Sequence, residues 1–170
     1  MVMLVMNYLK NSCRRDARRD AAGAHVLEYG RGWRAVGIGL AVVSTAMFAF
    51  LFVDAPPKPD EVVVAFSMVA TLTVGLTALL VNIYRFSIAL TDAGMLRRSP
   101  WRRDRFAAWG QVQRLTYNPS TKYFVVRTAG GTIRVPRYID GLGTLRDEIA
   151  RRVPSPCWSA VQAELDSAAR

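Results

Sequence analysis

Two stretches of this chain carry no charged side chain: Ala35–Val53, nineteen residues, and Val62–Tyr84, twenty-three. At about 1.5 Å per residue they would reach roughly 28 and 34 Å as helices, enough for a hydrocarbon core near 30 Å. A chain of 170 residues has no interior wide enough to bury two such helices on every face. Two transmembrane helices are therefore expected. Between them, Asp54-Ala-Pro-Pro-Lys-Pro-Asp-Glu61 sets three prolines within four residues, which continue neither helix and make a short, stiff reversal.

Charge assigns the sides. Residues 1–34 hold seven Arg/Lys against three Asp/Glu, residues 85–170 hold fifteen against seven, and the connector 54–61 holds one against three. Basic ends and an acidic connector predict that both termini stay in the cytoplasm and the proline turn lies outside. Trp33, Tyr84 and Phe86 would then form an aromatic belt at the inner interface. Arginine supplies twenty of the twenty-three cations, a bias that goes with a GC-rich bacterial genome. The expected location is the bacterial inner membrane, multi-pass. Cys13 and Cys157 fall in the cytoplasmic ends and are expected as free thiols.

Four parts follow: a basic segment 1–34, a helical hairpin 35–84 (35–53 and 62–84, outer loop 54–61), a domain 85–154, and a tail 155–170. In the first part Met1-Val-Met-Leu-Val-Met6 precedes Arg14, Arg15, Arg18 and Arg19, the reverse of a secretory signal. That segment is open to lipid contact or disorder. In the hairpin, Gly37, Ala41, Thr45 and Ala49 recur every four residues, and Ser67, Thr71, Gly75, Ala78 and Asn82 nearly so. Small residues at this spacing let helices approach closely in lipid. Thr71, Thr77 and Asn82 could instead line a polar path, but neither span holds an ionisable residue, which favours packing.

Beyond the hairpin the apolar period becomes two. Phe86–Thr91, Met95–Ser99, Arg105–Trp109, Gln113–Asn118, Lys122–Thr128 and Thr132–Pro136 predict six short antiparallel strands, with turns at Asp92–Gly94, Asn118-Pro-Ser and Ala129-Gly-Gly131. Asp140 can cap a helix in which Leu142, Leu145, Ile149 and Val153 share a face, stopped by Pro154. Residues 159–170 predict a weak helix anchored by Val161 and Leu165.

This order of elements resembles the bacterial pleckstrin-homology-like (PH) domain membrane proteins over residues 35–153. The resemblance is carried by Ile88-Ala-Leu-Thr-Asp-Ala-Gly-Met-Leu-Arg-Arg98, Ala108-Trp-Gly-Gln-Val112 and Arg134-Val-Pro-Arg-Tyr-Ile-Asp-Gly-Leu-Gly143. The chain departs from the family pattern at Gly110-Gln111, where an acidic residue is common. The resemblance implies a membrane α+β protein: a two-helix transmembrane hairpin, then a small antiparallel PH-like β-barrel closed by a C-terminal α-helix.

Chemistry narrows to one stretch. Arg97-Arg-Ser-Pro-Trp-Arg-Arg-Asp-Arg105 groups Arg97, Arg98, Trp101, Arg102, Arg103 and Arg105 around a proline turn. A basic side chain near an anionic leaflet is worth about 1 kcal/mol, and Trp favours headgroup depth, so lipid-headgroup contact is expected there. An ordinary solvated hairpin tip that only helps set orientation is the competing reading. Tyr117, Tyr123 and Phe124 on a sheet could stack bases, but alternation turns several inward and a tether to membrane argues against nucleic acid. One histidine, His25, and carboxylates explained by capping and helix pairing leave no expected catalytic, metal or cofactor site, and no enzyme. The expected function is a non-catalytic, membrane-anchored interaction module that binds a partner protein or anionic lipid headgroups. The alternative is an assembly subunit of a small transport or channel complex.

Overall fold

A computed structural model describes Asp16 to Ala169 apart from Ala22 and residues 55–57. Cys13, the Met1–Met6 run and the two readings of that segment lie outside the described residues. The elements in chain order are β1 (Arg18–Arg19), β2 (His25–Glu28), α1 (Arg31–Asp54), α2 (Val62–Arg85) and β3 (Ser87–Leu90). Then come β4 (Gly94–Ser99), β5 (Arg102–Ala108), β6 (Val112–Asn118), β7 (Tyr123–Thr128), β8 (Gly131–Pro136), α3 (Leu142–Arg152) and α4 (Gln162–Ala169). All strands are antiparallel, in a five-stranded sheet β1-β2-β3-β4-β5 and a three-stranded sheet β6-β7-β8. The protein is thus a mixed α+β fold with two long apolar helices. Among the described residues no ladder joins the two sheets, so they form an unclosed pair.

Helices α1 and α2 are long and apolar enough to cross a membrane. They form an antiparallel hairpin: Phe52 and Phe66 meet with ring centroids 5.5 Å apart at one end, and Gly37 faces Leu80 near the other. Outward-pointing Val42, Val43, Phe50, Val63, Val64 and Val74 are exposed. The expected pair of small-residue faces is only half realised. Gly37 is buried against Leu80 and Ile83, where a Cβ would sit 2.9 Å from Leu80 Cδ2. Ser67, Thr71 and Gly75 are exposed, and nothing lies within 4 Å of a Cβ built at Gly75. On α2 the less exposed residues include Ala78 and Asn82 of the expected face together with the bulkier Val62, Val69, Leu76, Leu80 and Ile83, which recur at helical spacing.

The sheet does not begin after the hairpin. β2 pairs with β3 in the register His25↔Leu90, Val26↔Ala89, Leu27↔Ile88 and Glu28↔Ser87. This pairing crosses the boundaries expected at 34 and 85: residues on both sides of the hairpin build one sheet. Leu27 is fully buried, in one core with Ile88, Met95, Phe124, Ile133 and Leu145. The chain leaving β2 is fixed by the Tyr29↔Ile139 bridge and by Asp140 N–H donating to Glu28 O at 2.9 Å.

The six strands expected from period-two alternation are all present. Helix α3 buries Leu142, Leu145 and Ile149, with Val153 just past its end. Its cap differs from the expectation. The N-cap is Gly141 at φ 88, with no side-chain cap, and the Asp140 carboxylate lies instead against Gly30, where a Cβ would be 2.6 Å from Oδ1. In the tail Leu165 of α4 and Val161, just before that helix, are the expected anchors, and both are buried.

Two arginines fasten α3. Arg152 Nε donates to Glu148 Oε2 at 2.6 Å, Arg151 Nη2 donates to Glu148 Oε1 at 2.6 Å, and Arg152 Nη1 donates to Asp92 O at 2.6 Å. Burial works to raise the Glu148 pKa, but hydrogen bonds from Arg151 and Arg152 outweigh it and hold the carboxyl below its usual range. A carboxylate with a depressed folded pKa contributes stability at neutral pH and loses it as pH falls through that depressed value. Glu148→Gln is therefore expected to cost about 1 kcal/mol at pH 7. It should also flatten the acid limb of a stability-versus-pH curve, read from denaturant melts.

Candidate functional site

Strand alternation and register divide the arginine stretch. Arg97 pairs with Ile88 on one side and with Arg105 on the other, so it points to the core face of the five-stranded sheet. Arg98, one residue on, pairs with Ser87 and is exposed on the opposite face. The β4–β5 register shifts between Arg97 and Ser99, and the chain turns through Pro100 and Trp101 into Arg102 and Arg103. Trp101 is 59% exposed at the tip. Arg105 reaches across to the other sheet, with Nη1 3.5 Å from Thr132 O.

The six expected residues divide between a cavity and the surface beside it. Arg97, Trp101 and Arg102 line a cavity of about 210 Å³, whereas Arg98 and Arg103 are exposed outside it. The cavity's other walls are Tyr29, Asn82, Phe86, Ser99, Tyr123 and Arg134. Arg134 was invisible to sequence reasoning because it lies on an alternating strand of the other sheet, where a cation reads as solvated. Tyr29 was missed because the domain was taken to begin after the hairpin.

Electrostatically the cavity is one-sided, for among the described residues no carboxylate lines it. Arg97 is only 6% exposed, and its Nε has no hydrogen-bond partner among the described residues. Burial first, then repulsion from Arg102, Arg105 and Arg134, pushes its pKa down, with Tyr123 opposing. A guanidinium does not give up its proton in a protein, so this unfavourable environment is borne as a buried charge. Burial, with a contribution from Tyr123, raises Tyr29 to about 12, so its phenol stays neutral and offers the arginines no counter-charge.

A second cavity, of about 190 Å³, adjoins the first and shares Tyr29, Asn82 and Tyr123 with it. Its remaining lining is mainly apolar: Trp33, Leu79, Ile83, Pro136 and Tyr138, with Thr121 and Lys122 beside them. Trp33 lies edge-on to Tyr29 at 6.3 Å and tilted to Tyr138 at 5.7 Å; Tyr29 meets Phe86 at 5.8 Å. These rings form a collar where the hairpin enters the sheets.

Other groups are less concentrated. His25 lines a third cavity with Asp92, Glu148, Arg151 and Arg152, whose carboxylates and guanidinia already satisfy one another. Cys157 is half-buried and free. Among the described residues no three His, Cys, Asp or Glu side chains gather as a metal-holding group. Comparison with family models, with curated proteins and with solved structures finds no match.

Proposed function

We propose that this chain is a non-catalytic interaction module, held at the cytoplasmic face of a bacterial membrane by its helical hairpin, whose PH-like sheets engage anionic lipid headgroups. The observation that carries the reading is the depth of the arginine cavity. Its lining includes Asn82 and Phe86, at the end of the second apolar helix, so the cationic cluster stands where that helix would leave the hydrocarbon. Exposed Trp101 suits the same depth, and Arg98 and Arg103 add surface charge beside it. Two antiparallel sheets followed by a closing helix support the PH-like description.

The channel alternative has less support. Thr71 and Ser67 hydroxyls donate to carbonyls four residues back, at 2.8 and 2.7 Å, so their protons are used within the helix. They present an acceptor at most to any polar path.

Lipid enrichment around the full chain tests the headgroup reading. In nanodiscs of neutral phospholipid doped with labelled lipid, anionic label is expected to gather at the protein over neutral label. Arg98→Gln with Arg103→Gln should lower that enrichment at least about fivefold, given about 1 kcal/mol per basic residue. Equal accumulation of anionic and neutral label around the wild type would discard the reading.

A further inference from the structure

We infer that the arginine cavity and the aromatic cavity beside it form one site for a single anionic amphiphile. Its phosphate is held by Arg97, Arg102 and Arg134, and its apolar body lies against Trp33, Leu79 and Tyr138. This rests on the headgroup reading and narrows it, from attraction between a basic surface and a leaflet to a site of fixed stoichiometry.

Arg97 supplies the first argument. A buried cation is tolerated when a partner offsets its lost hydration, and removing the partner leaves it costly. Here an arginine is 6% exposed as a whole residue, directly opposite Arg105 in the ladder and repelled also by Arg102 and Arg134. Like charges paired across strands disfavour the sheet that carries them. Among the described residues no carboxylate lines the cavity, and the Arg97 Nε is unpartnered. The arrangement lacks one anion. Planar guanidinium forks match oxyanions bidentately, and three of them suit a phosphate monoester, with its three terminal oxygens.

The second argument is the cavity next door. Small-molecule pockets run to roughly 300–1,000 Å³, mostly apolar, with a few polar groups to orient the ligand. Neither cavity reaches that range alone, at about 210 and 190 Å³, whereas both together do. Their division of labour is also that of an amphiphile: arginines in one, Trp33, Leu79, Ile83, Pro136 and Tyr138 in the other. A ligand straddling Tyr29, Asn82 and Tyr123 touches both. Inorganic phosphate would fill only the first and leave the aromatic walls idle. Lys122, held at φ 57, adds a cation beside the second cavity.

The test uses the full chain in dodecyl maltoside, titrated with dodecyl phosphate or with inorganic phosphate. Native mass spectrometry counts what is bound, and thermal melting reads its effect. One dodecyl phosphate per chain is expected, bound at least tenfold more tightly than inorganic phosphate and raising the melting temperature. Arg97→Met is expected to lose binding at least tenfold and to melt no lower than the unliganded wild type, because it removes the unpaired buried charge. Arg134→Gln, at an exposed strand position, gives the same loss of binding if Arg97→Met does not fold. Trp33→Ala should narrow the preference for dodecyl phosphate over inorganic phosphate.

Unchanged binding in both arginine variants would overturn the site. Equal affinity for the two probes would assign the arginines to free phosphate and overturn the amphiphile. Arg98→Gln with Arg103→Gln separates this from the broader reading: it should lower nanodisc enrichment and retain the one bound dodecyl phosphate. Loss of that dodecyl phosphate, with binding intact in Arg97→Met, would leave surface attraction standing and remove the pocket.

Discussion

A chain in which Arg31–Arg85 is replaced by one or two glycines is expected to be soluble and folded, while residues 86–170 alone are expected to aggregate. The contrast follows from the β2–β3 ladder. Glu28 and Ser87 are directly paired, so the ends left by excising the hairpin already lie a strand spacing apart. Joining Gly30 to Phe86 makes a loop of about five residues, a length that antiparallel hairpins accept. The excision also removes the exposed apolar surface of both helices.

The fragment starting at residue 86 loses β1 and β2. It uncovers the edge of β3 and deletes Leu27, which is fully buried in the core. Truncating one such leucine to alanine costs about 2–5 kcal/mol, a large part of the roughly 5–15 kcal/mol that holds a domain folded. Here the whole strand goes with it, and an unpaired edge invites aggregation. Size-exclusion chromatography and a cooperative thermal melt distinguish the two outcomes. A folded, monomeric 86–170 fragment would contradict the observed sheet order.

Gly94→Ala is expected to destabilise the domain by about 3 kcal/mol, at the upper end of what overpacking usually costs. Gly94 opposes Ala108 at the start of the β4–β5 ladder. A Cβ there would run into the Ala107 carbonyl oxygen and lie 2.8 Å from both Ala107 C and Ala108 Cα. Those are backbone atoms of the paired strand and cannot rotate away, so β5 must move. The same turn is held by Thr91 N–H donating to Gly94 O at 2.9 Å, and by the Trp109 indole donating to Thr91 O at 2.9 Å. Displacing β5 therefore also loosens Trp109. Gly110→Ala is the control: nothing lies within 4 Å of its added Cβ, and the expected change is under about 0.5 kcal/mol. Denaturant melts of the full chain in detergent, or of the hairpin-deleted form, read the difference.

What could be read from the sequence follows the range of the interaction. Six strands and α3 announce themselves by local period, and Val161 and Leu165 are visible as the only large apolar anchors of residues 159–170. β2 is different. His25-Val-Leu-Glu28 is four residues between a charged run and an apolar helix, and only its pairing with Ser87–Leu90, across the whole hairpin, makes it a strand. Asp140 read as a cap because it stands just before a helix, yet its carboxylate meets the notch that Gly30 leaves. Ser67, Thr71 and Gly75 have the spacing of a packing face but are exposed, whereas Ala78 and Asn82 of the same row are partly covered.

The candidate site divides along the same line. That arginines cluster between Arg97 and Arg105 is plain in the sequence. Which of them points inward depends on parity along β4 and on the register shift before Ser99, and neither has a sequence marker. Arg134 joins them from the other sheet, at an exposed position opposite in parity to the buried Ile133 and Val135. Gly94 and Trp109, prominent in the stretches that suggested a family, hold the β3–β4 turn against the end of β5.

The position of the hairpin between β2 and β3 also orders events during synthesis. β2 emerges 59 residues before its partner, a wait of roughly 3–12 s at about 5–20 residues/s. In a bilayer, a chain that had threaded only one helix would leave those strands on opposite sides, with Leu27 unable to reach Ile88. Completion of the sheet would then certify that both crossings had been made, and a half-inserted chain would remain unfolded and open to proteolysis.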